Sequence, residues 1–266
     1  MKIGTEIFCL NEKRALVTGA TGYLGSAMAL ALAQAGAHVL VNSRSLERAS
    51  ELVSKIKKQG FSAETAIFDI GNKNEVDVFV AENIDKPLHI LINNAYMGTS
   101  GSIEIAHTDQ YLESYEITVL SAHYLLKALL PSLRLAVLDS GDASVINIAS
   151  MYALVSPDQR LYDNASVVNP PFYGAAKAAL LSLTRYAACE FGNESIRVNS
   201  ISPGPFPSEK VQKNDACFIE NLSRKVPMGR IGQSEEIKGP VLFLASEASS
   251  FTNGANIVVD GGWTCW

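Results

Sequence analysis

The sequence is poor in the features that mark metal-binding, secreted or membrane proteins. Its four cysteines, Cys9, Cys189, Cys217 and Cys265, lie far apart and form no CxxC pair. Reduced thiols in a cytoplasmic protein are the expectation from such spacing. The four histidines, at 38, 89, 107 and 123, show no HExxH or comparable ligand spacing, so no metal site is expected. No apolar run reaches the ~18 residues a membrane-spanning helix needs. The stretch Met1 to Leu10 carries Glu6 and lacks the apolar core of a signal peptide. Positive charge is also scarce: 22 Lys and Arg stand against 27 Asp and Glu, for a net charge of −5. That balance argues against a nucleic-acid or anionic-membrane surface. No Ser/Gly linker, low-complexity tract or internal repeat divides the chain. What is abundant is apolar residue, 47% of 266 positions. This excludes a disordered chain and allows one large α/β domain or two small ones.

Apolar runs alternate with helical patterns along the whole length. Ala15-Leu16-Val17, Val39-Leu40-Val41, Thr65–Phe68, Ile90–Ile92, Val145–Ile148, Val198–Ile201 and Ile257–Val259 read as strands. Helical stretches are expected over Gly22 to Ala35, Leu46 to Gln59, Asn74–Glu82, Gln110–Leu138, Phe172–Phe191 and Glu235–Leu244. Strands that are apolar without alternation and separated by helices imply a parallel sheet covered on both faces. The expected architecture is therefore a single α/β domain over residues 1–266, a doubly wound Rossmann-type parallel sheet of about seven strands. Pro203 to Pro227 holds four prolines and mixed polarity, and reads as a long mobile loop beside a site.

Two segments carry chemistry. Thr18-Gly19-Ala20-Thr21-Gly22-Tyr23-Leu24-Gly25 joins the first strand to the first helix. Glycine there lets backbone approach a pyrophosphate, and the helix N-terminus supplies free N–H groups and a positive dipole end. After the second strand comes Asn42-Ser43-Arg44, with no carboxylate to accept from a ribose 2′-hydroxyl. Arg44, with Ser43 as a neutral donor, suits a 2′-phosphate instead, so NADP(H) is preferred and NAD(H) is the alternative. The second segment is Tyr173-Gly174-Ala175-Ala176-Lys177, whose spacing of four puts phenol and ammonium on one helix face. A lysine beside a phenol favours phenolate, and such a Tyr can exchange a proton with a carbonyl or alcohol. Ser150 follows the strand ending at Ile148, at the carboxyl edge where open α/β sheets bind ligands.

Taken together, Thr18-Gly19 with Gly22 and Gly25, Phe68-Asp69-Ile70, Asn93-Asn94-Ala95, Ser150, Tyr173/Lys177, Pro203-Gly204 and Val258-Val259-Asp260-Gly261-Gly262 resemble the short-chain dehydrogenase/reductase family, in its short single-domain branch. The resemblance runs in register from about Phe8 to Trp266. It implies hydride transfer between nicotinamide and a carbonyl/alcohol carbon, with Tyr173 as acid/base, Ser150 orienting the substrate oxygen and Lys177 binding the nicotinamide ribose. It also implies that Asp69 and Ile70 meet adenine and that Asn93 and Ala95 line the cofactor channel. Pro203, Gly204 and Phe206 would flank the nicotinamide, and Ser208 would stand where the family has a Thr that meets the carboxamide. A homodimer or homotetramer is implied as well.

The chain departs from that pattern at four places. Counting back from Lys127 and Pro131, the family's fourth catalytic residue, an Asn that extends a proton relay, falls on Thr118. Tyr23 and Tyr96 each occupy a position where glycine is usual. Between Ser150 and Tyr173 lie about ten residues more than the family commonly has. The segment Met151 to Tyr162 is similar to that of sugar-acting members tied to flagellin modification, and the outline resembles gluconate 5-dehydrogenase. Asp158, Arg160 and Tyr162 are accordingly expected to bind a polar substrate. The expectation is an NADP(H)-preferring carbonyl reductase/alcohol dehydrogenase for a sugar-derived small molecule. Its alternatives are a 3-oxoacyl or other small-ketone reductase of the same family, and a non-catalytic nucleotide-binding scaffold or redox sensor.

Overall fold

The structure is a computed structural model that describes residues 4–266. Residues 1–3 of the expected single unit lie outside the described residues. Among the described residues, seven strands form one sheet: β1 (Arg14–Val17), β2 (His38–Ser43), β3 (Ala63–Ile67), β4 (Ile90–Asn93), β5 (Ala143–Ile148), β6 (Ile196–Pro203) and β7 (Asn256–Val259). They run in the order β3-β2-β1-β4-β5-β6-β7, and each neighbouring pair is parallel. The order reverses between β1 and β4, and the crevice at that switch point is where such sheets bind nucleotides.

Why these strands lack alternation is visible in the core. Ala15, Val17, Ile90, Ile92, Ile146 and Ile148 pack into one apolar cluster, while Leu16, Leu91 and Val145 pack into a second on the opposite face. Both faces are buried, so both sets of side chains must be apolar. Each fully buried Leu or Ile contributes roughly 1.5–3 kcal/mol. Helices α1 (Tyr23–Gln34) and α2 (Leu46–Lys58) supply the first cluster with Ala27, Met28, Leu32 and Ile56. Helix α3 (Lys73–Ala81) supplies Val76 and Val80 to the second.

The stretch expected as one helix over Gln110–Leu138 is three pieces: α4 (Thr108–Tyr115), a π-helical turn (Glu116–Leu120) and α5 (Ser121–Ser140). The N–H of Ser121 donates to the carbonyl of Glu116, five residues back, and the Ser121 hydroxyl donates to Ile117 O at 2.6 Å. One extra residue shifts the helical phase by about 100°, but the segments on either side each keep a helical pattern, so the sequence reads as one helix. Such turns cluster at functional sites, and Thr118 sits inside this one. The remaining helices are α6 (Pro171–Phe191), α7 (Glu209–Asn214), α8 (Ala216–Lys225) and α9 (Lys238–Ala245).

Pro203 to Pro227, expected as irregular, thus contains two helices. Prolines 203, 205 and 207 confine irregular backbone to the first third. Beyond them Asp215 caps α8 by accepting from Phe218 N at 3.0 Å. The apolar face of α8 is buried in a third, separate cluster of Met151, Leu161, Leu222, Val226, Ile231 and Trp263.

Candidate active site

The glycine-rich turn is built by close approach. Gly19 has φ +60°, and a Cβ on Gly25 would stand 2.3 Å from Gly19 O and 2.9 Å from Asn94 Nδ2. No larger residue closes the turn without moving backbone. Thr18, buried behind it, donates its hydroxyl to Ile92 O at 3.1 Å and accepts from Asn94 N and Ala95 N at 2.8 and 3.1 Å. That lashes the carboxyl ends of β1 and β4 together at the switch point. Gly22 precedes α1, and Tyr23, Leu24 and Gly25 of its first turn line the resulting cleft.

Ser150 and Tyr173 meet because of a second close approach. Ser150 caps the 3₁₀ turn Met151–Ala153, its Oγ accepting from Tyr152 N at 3.1 Å, which leaves its own proton free to donate. A Cβ on Gly174 would lie 2.7 Å from Tyr152 O, so the glycine lets α6 press against that turn. Tyr173 occupies the first turn of α6, where the positive dipole end favours a phenolate. Burial pushes the Tyr173 phenol up, and the hydrogen bond from Ser150 opposes it. Burial likewise brings the Lys177 ammonium down to about 7. Lys177 Nζ donates to Ile148 O at 2.6 Å and stands over the ring of Tyr173, 5.8 Å from its centroid. In this structure burial therefore dominates both groups, and the expected lowering of the phenol by the lysine is not what the geometry displays.

One cleft of about 600 Å³ is lined by Gly19, Gly22, Tyr23, Leu24, Gly25, Ser43, Arg44, Asp69, Ile70, Ala95, Ser150, Tyr173, Lys177, Pro203, Gly204 and Phe206 together. At its far end Arg44 lies 3.5 Å from Asp69, and the hydroxyls of Thr21 and Ser43 are 3.3 Å apart. Arg48 also lines this end. Sequence reading missed it, although its place one turn beyond Arg44, behind the Ser45 cap, was the available signal. The cleft fits a dinucleotide on the chain's own terms: a glycine cradle that a Cβ would fill, a helix N-terminus above it, and two guanidinium groups at the adenosine end.

Several expected residues stand elsewhere. Thr18 and Asn93 lie behind the cleft wall, Asn93 donating to Asn147 Oδ1 at 2.8 Å. Ser208 is at the N-cap of α7, outside the lining. Thr118 faces a small internal cavity of about 10 Å³ shared with Lys177, and its buried hydroxyl has no protein partner. Asp158, Arg160 and Tyr162, expected to bind substrate, do not line the cleft. Asp158 instead accepts from Arg160 Nε and pairs with Lys225 of α8, each at 2.8 Å. These cations hold its carboxyl well below the usual carboxylate range. The Arg160 side chain is 81% exposed. Tyr162 packs its ring against Phe218 of α8, and its hydroxyl lies 3.3 Å from that of Tyr152. Farther along, Gly101 N and Ser102 N donate to Val168 O and Ala165 O. The inserted residues thus brace α8 on one side and the loop after β4 on the other.

Residues 19–264 match the model of the enoyl-(acyl carrier protein) reductase family, one of the short-chain dehydrogenases/reductases. The gluconate 5-dehydrogenase of Gluconobacter oxydans (strain 621H) is 32% identical over 264 residues, covering 97% of this chain and 97% of that protein. The chain belongs to the short-chain dehydrogenase/reductase family. The 5-keto-D-gluconate 5-reductase of Escherichia coli (strain K12) is also 32% identical, covering 97% of each chain. Among solved structures, a gluconate 5-dehydrogenase from Burkholderia cenocepacia J2315 in complex with NADP and tartrate superposes with a TM-score of 0.85 at 29% identity, covering 98% of each chain. Membership makes the chain an oxidoreductase.

Proposed function

We propose that this short-chain dehydrogenase/reductase is an NADP(H)-preferring carbonyl reductase/alcohol dehydrogenase acting on a polar, sugar-derived small molecule. The observation that carries the reading is the convergence of Ser150, Tyr173 and Lys177 with the glycine-rich turn on one cleft. The bound cofactor would supply the hydride donor or acceptor. The protein supplies the proton and the orientation. The Tyr173 hydroxyl donates to the carbonyl oxygen during reduction and takes the proton back during oxidation. Ser150, with its lone pair committed to Tyr152 N, donates to the same oxygen and fixes its position. Lys177 would hold the nicotinamide ribose and restore the proton of Tyr173. The Thr118 hydroxyl stands across a cavity of about one water's volume from Lys177, which supports Thr118 as the next step of that relay.

Arg44, Arg48, Ser43 and Thr21 at the adenosine end support NADP(H), as does the NADP bound by the Burkholderia relative. Because Asp158, Arg160 and Tyr162 do not reach the cleft, support for a sugar-derived substrate comes from the two gluconate-acting relatives. The small-ketone reductase is the second reading, favoured by Ile148, Phe206 and Met97 in the lining. A homodimer or homotetramer is supported by Tyr111, Leu112, Tyr115 and Leu120, all exposed on α4 and the turn after it. A cytoplasmic location is supported by four unpaired thiols. No helix among the described residues is long and apolar enough to cross a membrane.

Tyr173→Phe tests the reaction. It should lower kcat by on the order of 10³-fold or more while NADPH still binds, since only the phenolic proton is lost. Near-native reduction of 5-keto-gluconate or of a small ketone by the Phe variant would sink the mechanism. Activity on small ketones alone would select the second reading, and an inert wild type would select the scaffold.

A further inference from the structure

Tyr96 stands three residues beyond the end of β4, where the family usually has glycine, and the chemistry proposed above does not use it. Its ring meets the ring of Tyr173 edge-on, with centroids 4.8 Å apart and planes at 66°. Lys177 Nζ stands over the same ring, 5.5 Å from its centroid. The Tyr96 hydroxyl is buried beside Ser114 and makes no hydrogen bond of ordinary geometry. The ring rather than the hydroxyl is therefore the part that meets the site. We propose that Tyr96 is a positioning residue of the acid/base pair, its ring face supporting the charged form of Lys177 and its edge-on contact fixing the ring of Tyr173.

The argument rests on what surrounds the ammonium. Among the described residues, Ile148 O on β5 accepts its hydrogen bond. The titratable groups that face the Lys177 ammonium are Tyr173 on α6 and Tyr96 after β4, and Tyr152 on the turn after β5 faces Tyr173, all of them phenols. Burial is the sole resolved cause acting on the Lys177 ammonium, and no carboxylate offsets it. In a desolvated site with no counter-ion, the negative faces of two aromatic rings are the remaining favourable field on the cation. Tyr173 contributes one face and Tyr96 the other. A glycine at position 96 would leave that side of Lys177 without a partner.

The inference rests on the proposed roles of Tyr173 and Lys177, and its test separates the two. Competitive labelling with acetic anhydride against pH, read by mass spectrometry on the full chain, titrates the Lys177 amine without any turnover. Tyr96→Leu keeps apolar bulk but removes the ring face. The Lys177 titration should fall by roughly 0.5–1.5 pH units. Alcohol oxidation near pH 7 should fall by the matching roughly two- to sixteenfold. Tyr96→Phe retains the ring and should keep both the titration and the pH–rate profile of the wild type. Should the Leu variant not fold, fluorinated phenylalanines at position 96 replace it. They keep the shape while draining the ring face, so the Lys177 titration should fall in step with fluorine count. An unmoved titration in the Leu variant or across the fluorinated series overturns the inference. So does a Phe variant as damaged as Leu, which would assign the role to the hydroxyl. If Tyr173→Phe retains turnover, the proposed reaction fails while the Lys177 titration still reports on Tyr96.

Discussion

Leu222→Ala tests whether the substrate side of the cleft is an independently ordered unit. Leu222 is buried on α8 among Met151, Leu161, Val226, Ile231 and Trp263, none of which belongs to either of the two sheet-face clusters. A ten-residue helix is too short to be stable alone, so α8 depends on this face for its order. Truncating a buried Leu to Ala costs about 2–5 kcal/mol, comparable with the whole docking energy of so small a cluster. Amide exchange in α8 should therefore accelerate by roughly 30- to 4000-fold, until full exposure limits it. Protection in β1, β4 and β5 should stay as in wild type, and the melting temperature of the sheet should move little. NADPH affinity should stay near wild type, because the phosphate turn stands on β1 and α1. Turnover should fall, because the insert and α8 lose their common support. Hydrogen-exchange mass spectrometry reads all of this in one experiment. Unchanged α8 exchange, or protection lost equally from α8 and the sheet, would refute the reasoning.

Arg44→Asp removes a phosphate partner and adds a ribose acceptor that repels the 2′-phosphate, so NADPH affinity should fall at least about tenfold and NADH affinity should rise. Titration by cofactor fluorescence checks it, and a wild type that already prefers NADH refutes the assignment. His89 sets an acid limit on stability. Its Nδ1 accepts from Arg14 N at 3.0 Å, its Nε2 meets Asp139 at 2.9 Å, and burial holds its pKa below the ordinary value. The unfolded chain therefore binds the proton first. The His89 contribution should be full above about pH 6.5 and fall by up to about 1.4 kcal/mol per pH unit below it, levelling off under the folded pKa. Urea unfolding of the wild type and of His89→Gln across that range should show the slope in the wild type alone.

Much of the fold was legible because a parallel sheet buried on both faces writes itself as uninterrupted apolar runs. Val39 to Val41 and Ile90 to Ile92 lie within β2 and β4 as expected. The π turn at Thr118 was not legible, since the segments on either side each carry a helical pattern and no residue type marks the phase shift of about 100° between them. Helix α8 was masked by the prolines ahead of it, although Phe218, Ile219, Leu222 and Val226 carry a helical period. In the site, glycines and the Tyr173/Lys177 spacing were readable because backbone approach and helix geometry are local matters. Asp158 and Arg160 misled for the opposite reason. Nearness to Ser150 in sequence says nothing of Lys225, and the ion pair that draws Asp158 towards α8 exists only in three dimensions.

Tyr152 explains how an insert that never enters the cleft can still govern what happens there. Its backbone N–H fixes the Ser150 hydroxyl, its carbonyl lies where a Cβ on Gly174 would be, and its phenol reaches Tyr162 in the insert. One residue thereby ties the Ser150 hydroxyl proposed to orient substrate, the helix that carries Tyr173, and the segment that supports α8. The rigid sheet edge fixes the cofactor turn through Thr18, independently of that tie. A change in the insert or in α8 is therefore transmitted to Ser150 and Tyr173 before it is felt at Gly19 or Arg44. Substitutions in this region should therefore disturb Ser150 and Tyr173 and leave the dinucleotide cradle as it was.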